Sequence, residues 1–206
     1  MGYTGRITAV AVPQASRRID YREKMGMLRI STRKIAFAGA IAAIYAALTV
    51  ALNFIGFGPI QFRVAEALCI LPFFFPFSVW GLFVGCFLAN LISPYPLDII
   101  VGSAATLIAA LCTALIGRSG RDNFAMKALA CFPPVIINAV CIGALIAYYM
   151  AGGGKADVFM PAFLMSALQV GLGQAAVLYA IGLPLMVYLP KSRVYGKLLE
   201  IYGGCS

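Results

Sequence analysis

The sequence predicts an all-α integral membrane protein, a six-transmembrane-helix bundle with both termini in the cytoplasm. Three observations lead there. Composition is the first: 62% of the 206 residues are hydrophobic and 11% are charged, whereas a soluble domain is nearer a quarter charged. So much apolar surface suits lipid rather than water. The second is a series of apolar runs long enough to cross a bilayer core of about 30 Å at about 1.5 Å per residue. The third is the placement of positive charge, because loops rich in Lys and Arg stay on the cytoplasmic side.

Residues 1–34 hold eight of the 16 Lys and Arg and no long apolar run. They read as a basic, lipid-facing cytoplasmic tail, not as a signal peptide or a nucleic-acid arm. Met25 and Met27 stand just before the basic cluster at 29–34. A start at either would make residues 1–24 dispensable, which an N-terminal peptide map tests. Residues 35–55 form the first span. Gly39, Ala43 and Ala47 make one line of small residues along it, and Ala38, Ala42 and Ala46 make the next. Either line lets another helix approach closely, although alanine-rich spans also produce such lines by chance.

Residues 64–93 are too long for one comfortable span, and Pro72, Pro76 and Ser78 interrupt them. Two short helices are expected, 64–76 and 78–93, the second carrying Gly81, Gly85 and Ala89 in line. A proline-rich loop at 93–98 leads into a fourth helix at 99–116, and a polar loop follows at 118–123. The fifth helix, 124–150, is bent or delayed by Pro133 and Pro134. A flexible loop at 152–157 leads to the sixth helix, 158–189, loosened by Gly171, Gly173 and Pro184. Residues 190–206 form a short basic cytoplasmic tail, so the membrane domain is 35–189.

Charge tests this count. With six helices and the N-terminus inside, the inner segments hold eight, none, three and three basic residues, and the outer loops hold Arg63 and Lys155. A single span over 64–93 would turn the loop at 118–127 and the basic C-terminal tail outward. The distribution therefore favours two helices there and an even total.

Several functions are disfavoured. The sequence has no His, which removes the commonest general base and metal ligand. Its six Cys form no CxxC pair, and five lie in apolar runs, where they read as small buried hydrophobes. No phosphate-binding loop of the G-x-x-x-x-G-K-[ST] type is present. No enzyme, metal or cofactor is expected in this chain, and a partner would have to supply ATP hydrolysis.

The predicted topology places the polar side chains by depth. Gln61, Arg63 and Glu66 lie in and after the first outer loop. Asn90 ends the third helix, and Asp98 begins the fourth from the same side. Asn138 and Gln169 lie deeper and form an uncharged floor. Ionisable groups in a span are costly and usually functional. Each also has a structural reading. Arg63 and Glu66, three apart, suit a pair across one helical turn, and Glu66 suits the helix dipole. Asp98 suits an N-cap, and the amides suit bonds between helices. Gln174, five residues from Gln169, is expected to point elsewhere as a structural residue. Tyr45, Tyr95, Tyr148 and Tyr149 are explained mostly as interface anchors. Together, two carboxylates, amides and aromatics suit a flat hydrogen-bonding heterocycle. A guanine-like base fits, and so does thiamine or another vitamin.

Residues 58–76, GPIQFRVAEALCILPFFFP, resemble the QueT family, the substrate-binding S components of energy-coupling factor transporters for queuosine precursors. GLFVGCFLAN at 81–90 and LDIIVGSAATLIAAL at 97–111 also look like family segments, and the likeness extends over residues 32–193. The resemblance implies a six-helix S component in a prokaryotic cell membrane with an outward site for queuine or for 7-cyano- or 7-aminomethyl-7-deazaguanine. Its partners would be one transmembrane coupling protein, met through an alanine line of the first helix, and two ABC ATPases. Glu66 is then assigned to the base edge, Asp98 to an amine or the loop gate, and Asn90, Gln61 and Gln169 to further hydrogen bonds. Arg63 would orient Glu66, and Glu66→Gln would abolish binding. The alternatives are an S component for a different vitamin or a small non-transport membrane protein.

Overall fold

The computed structural model describes residues 31–52, 63–93, 95–120, 122–153 and 156–203, and every described element is helical. Residues 1–30, Gln61 and Lys155 lie outside the described residues. Helix α1 (Thr32–Ala51) starts at Ser31, whose hydroxyl accepts from the Lys34 amide, a favourable N-cap. Phe37, Ala38, Ile41, Ala42, Tyr45 and Thr49 are buried on one face, at the spacing of a helical stripe. Gly39, Ala43 and Ala47 are exposed on the other.

The buried line meets helix α2 (Ser78–Asn90). A Cβ on Gly81 would stand 2.5 Å from the Ala38 carbonyl oxygen, and one on Gly85 would stand 2.9 Å from that of Ala42. Only glycine lets the two backbones come so close. The lines predicted on the first and third spans are therefore each other's partners, and the Gly39 line stays open.

Between these helices and the rest of the bundle runs a 3₁₀ helix, Val64–Phe73. An α-helix over 64–76 was the expectation. Pro72 lies inside the element and brings no N–H to an α-helical bond. At about 2.0 Å per residue, its 10 residues cover about 20 Å. Ala65, Glu66, Ala67, Cys69, Ile70, Pro72 and Phe73 are all buried. Small side chains let neighbours close around it, and it packs against α1, α2, helix α3 (Asp98–Arg118) and helix α6 (Ala156–Val177).

The fifth span is interrupted, as its prolines suggest. Helix α4 (Phe124–Ala130) stops at Cys131, and helix α5 (Phe132–Met150) resumes with proline in its first turn. Helix α6 passes through a π turn, Leu178–Gly182, into helix α7 (Leu183–Tyr188) and a 3₁₀ turn, Leu189–Lys191. The π turn takes up the misfit at Pro184, which cannot donate to the helix ladder.

The basic tail is itself helical. Helix α8 (Arg193–Gly203) places Tyr195, Leu198, Leu199 and Tyr202 on one face, packed against the core. Tyr202 lies 5.2 Å from Phe75 and 5.4 Å from Phe37, and Tyr195 lies 5.6 Å from Phe74, between ring centroids. The Phe77 amide donates to the Tyr202 hydroxyl at 3.2 Å.

Among the described residues, four helices are long and apolar enough to cross a membrane: Thr32–Ala51, Asp98–Arg118, Phe124–Met150 and Asp157–Lys191. Two shorter apolar helices, Val64–Phe73 and Ser78–Asn90, occupy the region predicted for the second and third spans. Leu164, Leu168 and Leu172 form an exposed apolar row on α6, as a lipid-facing surface would.

Candidate functional site

The 3₁₀ helix carries charge into the interior, and its neighbours supply the partners. Arg63, just before it, is 7% exposed. Its Nη2 stands 2.6 Å from Asp98 Oδ2, and its Nη1 donates to Asn90 Oδ1 at 3.3 Å. Asn90 Nδ2 donates to the Asp98 carbonyl at 2.9 Å, and Ser93 Oγ donates to Asp98 Oδ2 at 3.1 Å. Two expectations change here. Arg63 pairs with Asp98, not across a turn with Glu66. Asp98 is the first residue of α3, the cap position belongs to Leu97, and the carboxylate serves Arg63 rather than the helix end. Asp98 Oδ1 has no hydrogen-bond partner among the described residues. Gly102 makes room for the cluster, because a Cβ there would stand 2.2 Å from Asp98 Oδ1 and 2.7 Å from Asn90 Nδ2.

Glu66, one turn further on, is 1% exposed. Its Oε1 accepts a hydrogen bond from the Tyr45 hydroxyl. Its Oε2 accepts from Cys69 Sγ at 2.9 Å and from Gln174 Nε2 at 3.2 Å. A buried carboxyl group is tolerable when bonded in this way. Neither ion pair among the described residues, Arg63–Asp98 nor Lys127–Asp122, includes it.

A pocket opens beside both clusters. Arg63, Asn138, Ile142, Val170 and Gln174 line it, and its empty space is small, about 10 Å³. Asn138 and Ile142 are one turn apart on α5, and Val170 and Gln174 are one turn apart on α6, so each helix presents one polar and one apolar side chain. Asn138 is 5% exposed, and its side chain makes no hydrogen bond among the described residues. The pocket thus has two uncharged amides, a guanidinium and two branched aliphatic walls.

Of the residues singled out from the sequence, Arg63, Asn90 and Asp98 form one cluster, Glu66 belongs to the other, and Asn138 lies in the pocket wall. Gln169 is half-buried and does not line the pocket. Gln174, expected to be structural, does line it and also bonds Glu66. Glu66 itself stands behind the wall, not in it. Tyr45 was read as an interface anchor and is instead 1% exposed and bonded to Glu66. Its position on the same face as Ala38 and Ala42 was the sequence signal for an inward hydroxyl. Among the described residues, no group of three or more His, Cys, Asp or Glu could hold a metal ion.

Fold and site together define a small helical membrane protein with a polar pocket buried in its bundle. A family model described as QueT transporter matches residues 35–191, and the chain belongs to that transporter family. It is 36% identical over 101 residues to the queuosine precursor transporter QueT of Lactococcus lactis subsp. cremoris, a match covering 48% of this chain and 60% of that relative. No solved structure matches.

Proposed function

We propose that this chain is the substrate-binding S component of an energy-coupling factor transporter and captures a queuosine precursor from outside for ATP-driven uptake. The observation that carries the reading is the pocket of Arg63, Asn138 and Gln174 in a chain of the QueT transporter family. Amides and a guanidinium offer donors and acceptors to a heterocycle edge, while Ile142 and Val170 offer apolar surface to its faces. The ligand class is queuine or a 7-cyano- or 7-aminomethyl-7-deazaguanine. Glu66 acts on the ligand through Gln174, and the Arg63–Asp98 pair ties the start of the 3₁₀ helix to the start of α3.

In this reading the two short apolar helices complete six spans. The basic segments at both ends then face the cytoplasm of a prokaryotic cell, flanking a membrane domain at 35–189. The partners are a transmembrane coupling protein and two ABC ATPases, which use the ATP. Gly39, Ala43 and Ala47 are the docking line, because Ala38 and Ala42 are already covered by α2, with Ala46 beside them half-buried. Co-expression with a coupling module tests the assembly, and titration with deazaguanines and thiamine tests the substrate. Binding of thiamine alone would keep the architecture and discard the substrate.

A further inference from the structure

We infer that Gln174 is a specificity-determining residue whose amide is locked by Glu66, so that the ligand must present an N–H donor to it. The inference rests on the proposed binding role of the pocket and adds a rule about which ligand edge it accepts. An amide side chain has two ends, a donor NH₂ and an acceptor oxygen. Gln174 Nε2 donates to Glu66 Oε2 at 3.2 Å. Turning the amide over would put its oxygen against a carboxylate oxygen that offers only lone pairs. The Tyr45 hydroxyl on Oε1 and Cys69 Sγ on Oε2 hold the carboxyl group in place. All of these side chains except Gln174 lie behind the pocket wall.

The consequence is a fixed pattern of polarity. Gln174 turns an acceptor to the pocket, and Arg63 carries only donors. Asn138, free to present either end, adapts to whatever lies between. A ligand edge with an N–H facing Gln174 and an acceptor facing Arg63 satisfies both. A lactam edge, where a ring N–H adjoins a carbonyl, has that pattern. An edge with an acceptor nitrogen in place of the N–H sets oxygen against nitrogen lone pair and leaves a buried group unpaired, which is how polar sites reject near-isosteres.

Glu66 is thus a positioning residue, and its removal changes preference as well as affinity. The test is calorimetric titration of the full chain in detergent with 7-aminomethyl-7-deazaguanine and two analogues. One lacks the 2-amino group, and in the other 6-O-methylation turns N1–H into an acceptor nitrogen. The wild type is expected to prefer the parent over at least one analogue by on the order of tenfold or more. Glu66→Gln lets the amide of Gln174 turn over and narrows that preference severalfold. Gln174→Leu removes the acceptor itself, narrows the preference in the same direction and serves where the Glu66 variant fails to fold. A loss of stability alone would lower all three affinities together and leave their ratio unchanged. An unchanged ratio in folded variants, or a wild type that binds all three ligands equally, overturns the inference alone. A wild type that binds none of them overturns it together with the proposed substrate.

Discussion

Replacing Arg63 by Ala should destabilise the bundle sharply, because it strands a buried carboxylate. Asp98 is 1% exposed and loses the guanidinium 2.6 Å away. Ser93 still donates to Oδ2, but Oδ1 has no partner among the described residues. Asn90 loses its donor at 3.3 Å as well. Removing one partner of a buried pair costs about 3–5 kcal/mol, mostly the penalty of the charge left behind. For a chain of this size that lowers the midpoint of thermal unfolding by on the order of 10 °C. Removing both charges is a different perturbation, since an apolar pair of similar volume is often neutral. Arg63→Met with Asp98→Leu should therefore recover most of the stability lost in Arg63→Ala, while still abolishing ligand binding. Thermal unfolding in detergent of Arg63→Ala, Asp98→Leu and the double variant measures this. A single variant as stable as the wild type, or a double variant no more stable than the worse single, would refute the assignment of the pair.

Three further outcomes follow from the packing. Gly85→Ala puts a Cβ 2.9 Å from both the Ala42 carbonyl oxygen and Tyr45 Cβ, so it should cost about 1–3 kcal/mol of stability; Gly39→Ala, with nothing within 4 Å, should be neutral or stabilising by thermal unfolding. Ala43→Leu on the exposed line should leave ligand affinity unchanged and prevent co-purification with the coupling protein; retained assembly would move the docking face elsewhere. Burial raises the pKa of Tyr202 above its ordinary value near 10.0. The neutral hydroxyl is the form the fold favours, so its contribution is complete below that pH and lost as pH rises through the raised value. Amide hydrogen exchange in α8 should accelerate above pH 10 in the wild type, and Tyr202→Phe should blunt that rise.

Helix positions were legible wherever apolar runs met Pro or Gly. The breaks near Pro133 and Pro184 and the division of 64–93 follow from residues that cannot donate to a helix ladder. The 3₁₀ form of Val64–Phe73 was not legible, because it depends on how tightly neighbouring helices close on Ala65, Ala67 and Cys69. Helix α8 escaped the sequence reading because residues 190–206 were weighed by their positive charge, although Tyr195, Leu198, Leu199 and Tyr202 carry a clear i, i+3, i+4, i+7 stripe. At the site, depth brought Arg63, Asn90 and Asp98 together correctly. The partner of Arg63 was harder, since a neighbour three residues away and one 35 residues away (Asp98) look alike to a carboxylate count. Gln174 and Tyr45 depend on helix rotation, which small differences in packing decide.

The central claim is that the pocket between α5 and α6 binds a deazaguanine. Calorimetric titration of the purified wild-type chain with 7-aminomethyl-7-deazaguanine, beside Asn138→Leu and a thiamine control, tests it most directly. Asn138 is 5% exposed and lines the pocket, and its side chain has no other hydrogen bond among the described residues. Its replacement should thus weaken binding by on the order of tenfold with little loss of stability. Saturable binding of the deazaguanine but not of thiamine, weakened in this way, is the predicted result. Undiminished binding by a folded Asn138→Leu variant, or heat only with thiamine, would contradict it.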